Sequence, residues 1–415
     1  MSLKADIRKK YKGFELEVAF TSDCGTLALL GASGSGKSMT LKCIAGLISP
    51  DEGRIEADGR VLFDSAAKID LKPQERNVGY LFQNYALFPN MTVRQNIGIA
   101  YRPDASGHGA GSKGSCGHGA GSTGRAVGSS GKAVGPAGKG ASLTEKDAYI
   151  SGLIAKYGLA GLEDKYPVQL SGGEQQRTAL ARIFAYKPQM LLLDEPFSAL
   201  DAFLRENMQA ELKQIIREYS RSVVLVTHSR DEAYKIADDL VILDKGRPAA
   251  AGTVRSVFAR PGNARAARIT GCKNISSIER IAEKRVFAKD WGIELETAEP
   301  VVDNHAFAGI RAHDFKPAER ESAGPESSGL ENPGPESAGR ESPVQESPVP
   351  GSSAPAPNTL TIELIDEVEG PFEKDIIFRA ETGAGRLWWI TEKGMDTSGV
   401  RALSIAPEAI MLLEA

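Results

Sequence analysis

An α/β fold with a parallel-sheet core, followed by a small β-barrel-like domain, is predicted by three observations. Three short apolar runs, Thr26–Leu30, Met190–Leu193 and Val223–Val226, read as buried parallel strands. The first run leads into Gly31-Ala32-Ser33-Gly34-Ser35-Gly36-Lys37-Ser38, which fits G-x-x-x-x-G-K-S/T, and then into a helix with Leu41, Ile44 and Ala45 on one face. Beyond residue 260, short stretches alternate polar and apolar with period two, as strands do.

The elements follow in order. Residues 2–20 alternate, with Phe14, Leu16, Val18 and Phe20 on one side, and Asp58-Gly59 within Ile55–Phe63 marks a tight hairpin. Together they predict a small antiparallel sheet beside the parallel core. Asp239–Arg247 reads as a last strand and turn, which places the first domain at 1–260. Residues 103–142 form a Gly/Ser/Ala tract with an imperfect repeat and the cations Lys113, Arg125, Lys132 and Lys139. Such a tract buries no core, and a flexible insert is predicted. Its His108, Cys116 and His118 lack a fourth ligand, so no metal site is expected there. The second domain, 261–415, is split by 318–358, an acidic Pro/Glu/Ser-rich linker. Strands are predicted within Ala288–Leu295, Ala308–Phe315, Thr359–Val368 and Arg386–Ile390, with one of Trp388 and Trp389 in the core and the other at the surface.

Chemistry gathers at the ends of the apolar runs. Glycines 31, 34 and 36 let the loop curl with its amides inward, and the helix that follows adds partial positive charge. That geometry suits the phosphates of a nucleotide: Lys37 would reach the β- and γ-phosphates, and the Ser38 hydroxyl would ligate Mg²⁺. The second run ends in Asp194-Glu195, placed for a Mg²⁺-holding carboxylate and its neighbour. The third ends in Thr227-His228.

Leu170-Ser171-Gly172-Gly173-Glu174-Gln175-Gln176-Arg177 adds a second signature. With it, the chain resembles the ATP-binding-cassette (ABC) ATPases over residues 1–260 apart from the insert. The resemblance implies a parallel core, an antiparallel β subdomain and a helical subdomain between Gln83 and Ser171. It implies a phosphate-binding set of Gly31, Ser33, Gly34, Gly36, Lys37, Ser38 and Met39, with Mg²⁺ held by Ser38, Gln83 and Asp194. Glu195 would polarise the attacking water and His228 would contact the γ-phosphate. Gln83 belongs to a segment similar to the family's Q-loop and Asp201 to one similar to its D-loop, at a dimer seam. Tyr11 is similar to the aromatic that stacks on adenine, with Phe14 the alternative. Ser171 and the Gly173 amide would bind ATP held by the other subunit, so each site needs two chains. The family often has Asp after its histidine; here Ser229 stands there.

Within the family, Tyr85–Val93 and the β-rich C-terminal extension are similar to ATPase subunits of bacterial importers fed by a binding protein, and Thr270–Asn274, Ser198–Arg205 and Gly309–Asp314 to those of the molybdate and sulfate type. That resemblance implies a homodimer on the cytoplasmic face of a bacterial membrane, two permease subunits and an external binding protein. The solute would be molybdate, tungstate or sulfate; a sugar, a polyamine or iron is the alternative. A soluble ABC ATPase acting on DNA or ribosomes is a further reading. It fits less well, because there is one phosphate loop and no heptad insertion between Gln83 and Ser171. A silent ATPase is opposed by intact Lys37, Glu195 and His228.

Composition agrees. With 415 residues the chain is long enough for two or three domains. A net charge of −4 leaves no global nucleic-acid footprint. Met1–Asp6 carries no apolar leader and no run spans a bilayer, so membrane contact is expected through a partner. Cys24, Cys43, Cys116 and Cys272 are scattered, as in a reducing compartment.

Overall fold

The computed structural model describes residues 2–22, 25–103, 141–198, 200–219, 221–318 and 358–415. The glycine-rich insert and the acidic linker therefore lie almost wholly outside the described residues, with Cys24, His108, Cys116 and His118. What is described falls into two compact units, Met1–Val254 and Arg255–Ala415.

The first unit begins with a hairpin. β1 (Leu3–Tyr11) and β2 (Phe14–Ser22) pair in antiparallel register from Leu3↔Ser22 to Tyr11↔Phe14. β4 (Glu52–Ala57) lies on the other side of β1, followed by β5 (Arg60–Asp64) and β6 (Ile69–Asp70). Asp58 (φ 51°) and Gly59 (φ 77°) turn the β4–β5 hairpin, the left-handed pair that a two-residue turn demands.

A six-stranded sheet forms the centre, in the order β11-β10-β3-β9-β8-β7. Its parallel strands are β3 (Thr26–Leu30), β7 (Val78–Leu81), β8 (Met190–Asp194), β9 (Val223–Thr227) and β10 (Asp239–Asp244). β11 (Arg247–Thr253) returns antiparallel to β10. β3, β8 and β9 are buried at every position, because both faces are covered. Met190, Leu192, Val224 and Val226 face one core, shared with β1, β2 and α1 (Lys37–Ala45). Leu191, Leu193, Val223 and Leu225 face the other, shared with α3 (Val93–Gly98), α4 (Ala141–Lys156), α5 (Gly172–Ala185) and α6 (Ala202–Tyr219). The short α2 (Pro73–Arg76) precedes β7, and α7 (Arg230–Ile236) follows β9. Each loop of the site thus leaves the same end of a parallel sheet.

After α8 (Val254–Ala259) and α9 (Ala264–Ile269), the second unit is β-rich. One sheet runs β14 (Ile293–Glu296), β13 (Arg285–Ala288), β12 (Asn274–Ala282), β15 (Phe307–Ile310), β21 (Ile410–Leu413). The other runs β16 (Lys316–Pro317), β20 (Ala402–Ser404), β17 (Thr359–Glu369), β18 (Glu373–Ala380), β19 (Leu387–Glu392). Both feed a single core containing Trp291, Ile310, Phe315, Ile376, Phe378 and Trp389. Trp389 is buried and Trp388 partly so. Two predicted strands are corrected. Ala288–Leu295 breaks into β13, a turn and β14, because the Asp290 carboxylate accepts the Ser277 amide (2.8 Å) and draws the chain aside. Ala308–Phe315 leaves the sheet after Ile310 for a 3₁₀ turn at Ala312–Asp314. No helix among the described residues is long and apolar enough to cross a membrane.

Candidate nucleotide site

The loop between β3 and α1 is shaped by its glycines. A Cβ at Gly31 would lie 2.2 Å from the Leu243 carbonyl oxygen, and one at Gly36 (φ 102°) 2.6 Å from Leu16. Neither position admits another residue without moving backbone or core. Gly36 caps α1 without a side-chain hydrogen bond, which leaves the first amides of the helix open. Lys37 is buried, and its ammonium donates to the carbonyls of Gly31 and Ala32, each at 2.8 Å. Burial lowers its pKa, opposed by the charges of Glu195 and Asp194. The Ser35 hydroxyl is buried and makes no hydrogen bond among the described residues, an orphaned polar atom inside the curl. Ser33 and Gly34 are exposed; Met39 packs its side chain on the core and offers the loop only its backbone.

Asp194 ends β8 beside this loop. Its Oδ1 accepts from Ser38 Oγ at 2.7 Å, and its Oδ2 accepts from Tyr80 Oη at 2.8 Å. Two hard oxygens therefore sit together where Mg²⁺ is expected, with the carboxylate oriented by a neighbouring strand. Burial, more than the Asp194 charge, pushes the Tyr80 phenol pKa far up, so it stays a donor.

Glu195 follows with φ 45°, a left-handed conformation that non-glycine residues adopt at a cost. Its amide donates to the Val226 carbonyl (3.0 Å), and its carbonyl accepts from the Ser198 amide and hydroxyl (3.2 and 3.0 Å). This turn carries the Glu195 carboxylate to 3.3 Å from His228 Nδ1. The histidine leaves the end of the adjacent strand β9. Ser229, the departure from the family pattern, caps α7: its Oγ accepts the Glu232 amide at 3.3 Å.

Ser38, Asp194, Glu195, His228 and Lys37 are thus brought together. Gln83 is exposed beyond β7 and makes no hydrogen bond among the described residues. Tyr11 is exposed at the hairpin end, with Lys9 over its ring at 5.7 Å, whereas Phe14 packs against the core and beside Gly36. Of the two rings, that of Tyr11 is the more open. Asp201 caps α6 through the Leu204 amide (2.9 Å). Ser171 caps α5 in a box with Glu174, whose carboxylate accepts the Ser171 amide (2.7 Å) and hydroxyl (2.9 Å). The first of these bonds leads in lowering the Glu174 pKa. A Cβ at Gly173 would meet nothing closer than 3.7 Å, so this chain alone does not require glycine there.

Sequence reasoning missed Tyr80 and Ser35 as members of the site. Tyr80 lay in a segment read for Gln83, and no local pattern says which neighbour of β8 reaches Asp194.

Fold and site together define a phosphate-loop nucleotide-binding unit. The ABC transporter family model matches residues 17–198. A molybdenum import ATP-binding protein of Paramagnetospirillum magneticum is 35% identical over 262 residues, covering 63% of this chain and 61% of its own. A sulfate/thiosulfate import ATP-binding protein of Brucella melitensis is 36% identical over 313 residues, 75% of this chain and 76% of that one. A solved ATP-binding cassette, in a dimeric post-hydrolysis state with ADP and Pi, is 25% identical over 61% of this chain and 99% of its own, at a TM-score of 0.44. The chain belongs to the ABC transporter family of ATP-binding proteins. It spans about three fifths of the length of the first curated relatives it matches, 61% and 60%.

Proposed function

We propose that this chain hydrolyses ATP as the energising subunit of a binding-protein-dependent importer of an oxyanion such as molybdate, tungstate or sulfate. One observation carries the reading: Ser38 and Asp194 are joined at 2.7 Å beneath the glycine loop, with Glu195 and His228 3.3 Å apart on the neighbouring strand ends. The amides of residues 31–39 cradle the phosphates, and Lys37 gives up its carbonyl partners to meet them. Ser38, Asp194 and Gln83 hold Mg²⁺, which supplies charge neutralisation when bound. Glu195 orients and polarises water, and His228 contacts the γ-phosphate. Tyr11 stacks on adenine. Ser171 and Gly173 of a second copy, with Asp201 at the seam, complete each site, so the working form is a homodimer.

Two permease subunits and an external binding protein complete the assembly, with this chain on the cytoplasmic face. The domains divide near residue 260, and the two sheets around one core in the second unit are read as its barrel-like regulatory domain. Relatives named for molybdenum and for sulfate/thiosulfate import support the solute class.

The test is phosphate release from Mg²⁺-ATP by the purified chain, beside Glu195→Gln. The variant is expected to bind ATP, to stop turning over and to run as a dimer on a sizing column. A wild-type chain that releases no phosphate overturns the ATPase reading, and a variant that stays monomeric with ATP overturns the site shared between two chains. Reconstitution with permease and binding protein then compares the three oxyanions; indifference to all of them overturns the solute class.

A further inference from the structure

The loop after β7 holds two consecutive non-glycine residues in the left-handed region, Tyr85 (φ 59°) and Ala86 (φ 46°). Each pays for its Cβ there, so something must hold them. Arg182, on α5, donates one guanidinium nitrogen to the Tyr85 carbonyl at 2.9 Å and another to the Ala86 carbonyl at 2.8 Å. Its guanidinium also lies 5.6 Å from the centre of the Phe88 ring. No carboxylate pairs with Arg182 among the described residues. Burial alone pushes its pKa down, so these carbonyls are its main compensation. The loop is fastened at two more points. Tyr85 is buried and its hydroxyl donates to the carbonyl of Pro196, the residue after Glu195 (3.4 Å). Fully buried Asn96 accepts the Phe88 amide at 2.9 Å and donates to the Phe88, Met91 and Thr92 carbonyls.

We propose that Arg182 is a positioning residue that holds Tyr85 and Ala86 in their left-handed turn and so sets where Gln83 stands relative to Glu195. The two-pronged guanidinium suits the task, because two carbonyls in tandem need two donors in a fixed fork. The loop is thereby tied to the helix that Ser171 begins, and through Tyr85 to the segment that Glu195 begins. Rotation of α5 would be felt at Gln83 without passing through the phosphate loop. This inference rests on the ATPase reading for its kinetic consequence, but its structural part does not.

The test uses the full chain with Arg182→Met, Arg182→Lys, and Arg182→Met combined with Ala86→Gly. Arg182→Met is expected to lower kcat by ~10-fold or more, as a misplaced catalytic segment does. ATP affinity is expected to stay within about threefold, because the phosphate loop is untouched. Amides 85–88 should exchange faster with deuterium. Glycine has no Cβ to strain, so Ala86→Gly should restore much of the lost kcat. A merely packing role for Arg182 predicts no such rescue. Unchanged kcat and unchanged exchange in Arg182→Met, or lost kcat that Ala86→Gly does not restore, overturns the proposal. Where Arg182→Met does not fold, Arg182→Lys carries the test, keeping charge and stem and losing the fork; it should show the same changes at smaller size, and wild-type exchange and kcat would overturn the proposal. A wild-type chain without ATPase activity sinks the ATPase reading alone, since the exchange at 85–88 is read without turnover.

Discussion

Asp194 shows how one residue is prepared by its neighbours. One oxygen faces Ser38 and the other is turned by Tyr80. Tyr80→Phe removes the orienting bond and keeps the ring packed on Phe82 (centroids 4.4 Å apart). The Mg²⁺ concentration for half-maximal activity should rise by ~10-fold, the usual effect of losing such a partner; an unchanged requirement refutes the role. Glu232 gives a pH signature. Burial raises its pKa, against the Thr227 hydroxyl that donates to it. The folded state therefore holds this proton more tightly than the unfolded chain. Stability contributed by the protonated acid is complete below the ordinary glutamate value and is lost as pH rises through the raised one. Glu232→Gln does not titrate. The melting temperature of wild type minus that of the variant should be greatest near pH 4 and fall as pH rises; a flat or opposite trend shows the burial effect is absent.

At the scale of elements, the turn between β10 and β11 backs the phosphate loop. Gly246 (φ 83°) donates its amide to the Ser35 carbonyl (3.1 Å), and its carbonyl accepts the Glu17 amide of β2 (2.7 Å). A Cβ there would lie 2.0 Å from the Glu15 carbonyl oxygen. Gly246→Ala should cost at least ~2 kcal/mol in denaturant unfolding and weaken ATP binding, because strap and loop must part. A variant as stable as wild type would show that the turn can shift freely. The N-terminus of α5 separates a local role from an intermolecular one. Ser171→Ala removes a cap and should cost about 1 kcal/mol. If Ser171 also reaches ATP on a second copy, the same change in the Glu195→Gln background abolishes ATP-driven dimer formation. Retained dimerisation with only the stability loss would confine Ser171 to capping.

The whole molecule has separate cores. Among the described residues, two clusters serve Met1–Val254, and one large cluster with a small satellite serves Arg255–Ala415. On the proposed site, Mg²⁺-ATP meets residues of the first unit only, and it should then raise the melting temperature of one calorimetric transition and leave the other in place. A single transition that shifts as a whole would show that the units unfold together.

Much of the site was legible in the chain because its requirements are local. A phosphate loop needs glycines at fixed spacing between a strand and a helix, and Gly31, Gly36 and Lys37 declare this within eight residues. Buried parallel strands need unbroken apolar runs, so β3, β8 and β9 were readable, and with them the ends that carry Asp194, Glu195 and His228. The start of α5 is equally local, since Ser171 and Glu174 form a box three residues apart. Strand ends inside the second unit were not, because Asp290 breaks a period-two run through a bond to Ser277 that periodicity cannot register. Only the tertiary structure decided that Tyr80 orients Asp194 across 114 positions and that Arg182 clasps Tyr85 and Ala86 across 97 and 96. The physical reason is reach. Periodicity and turn chemistry act over a few residues, whereas these bonds depend on which strand lies beside which, and on how a distant helix packs over the loop.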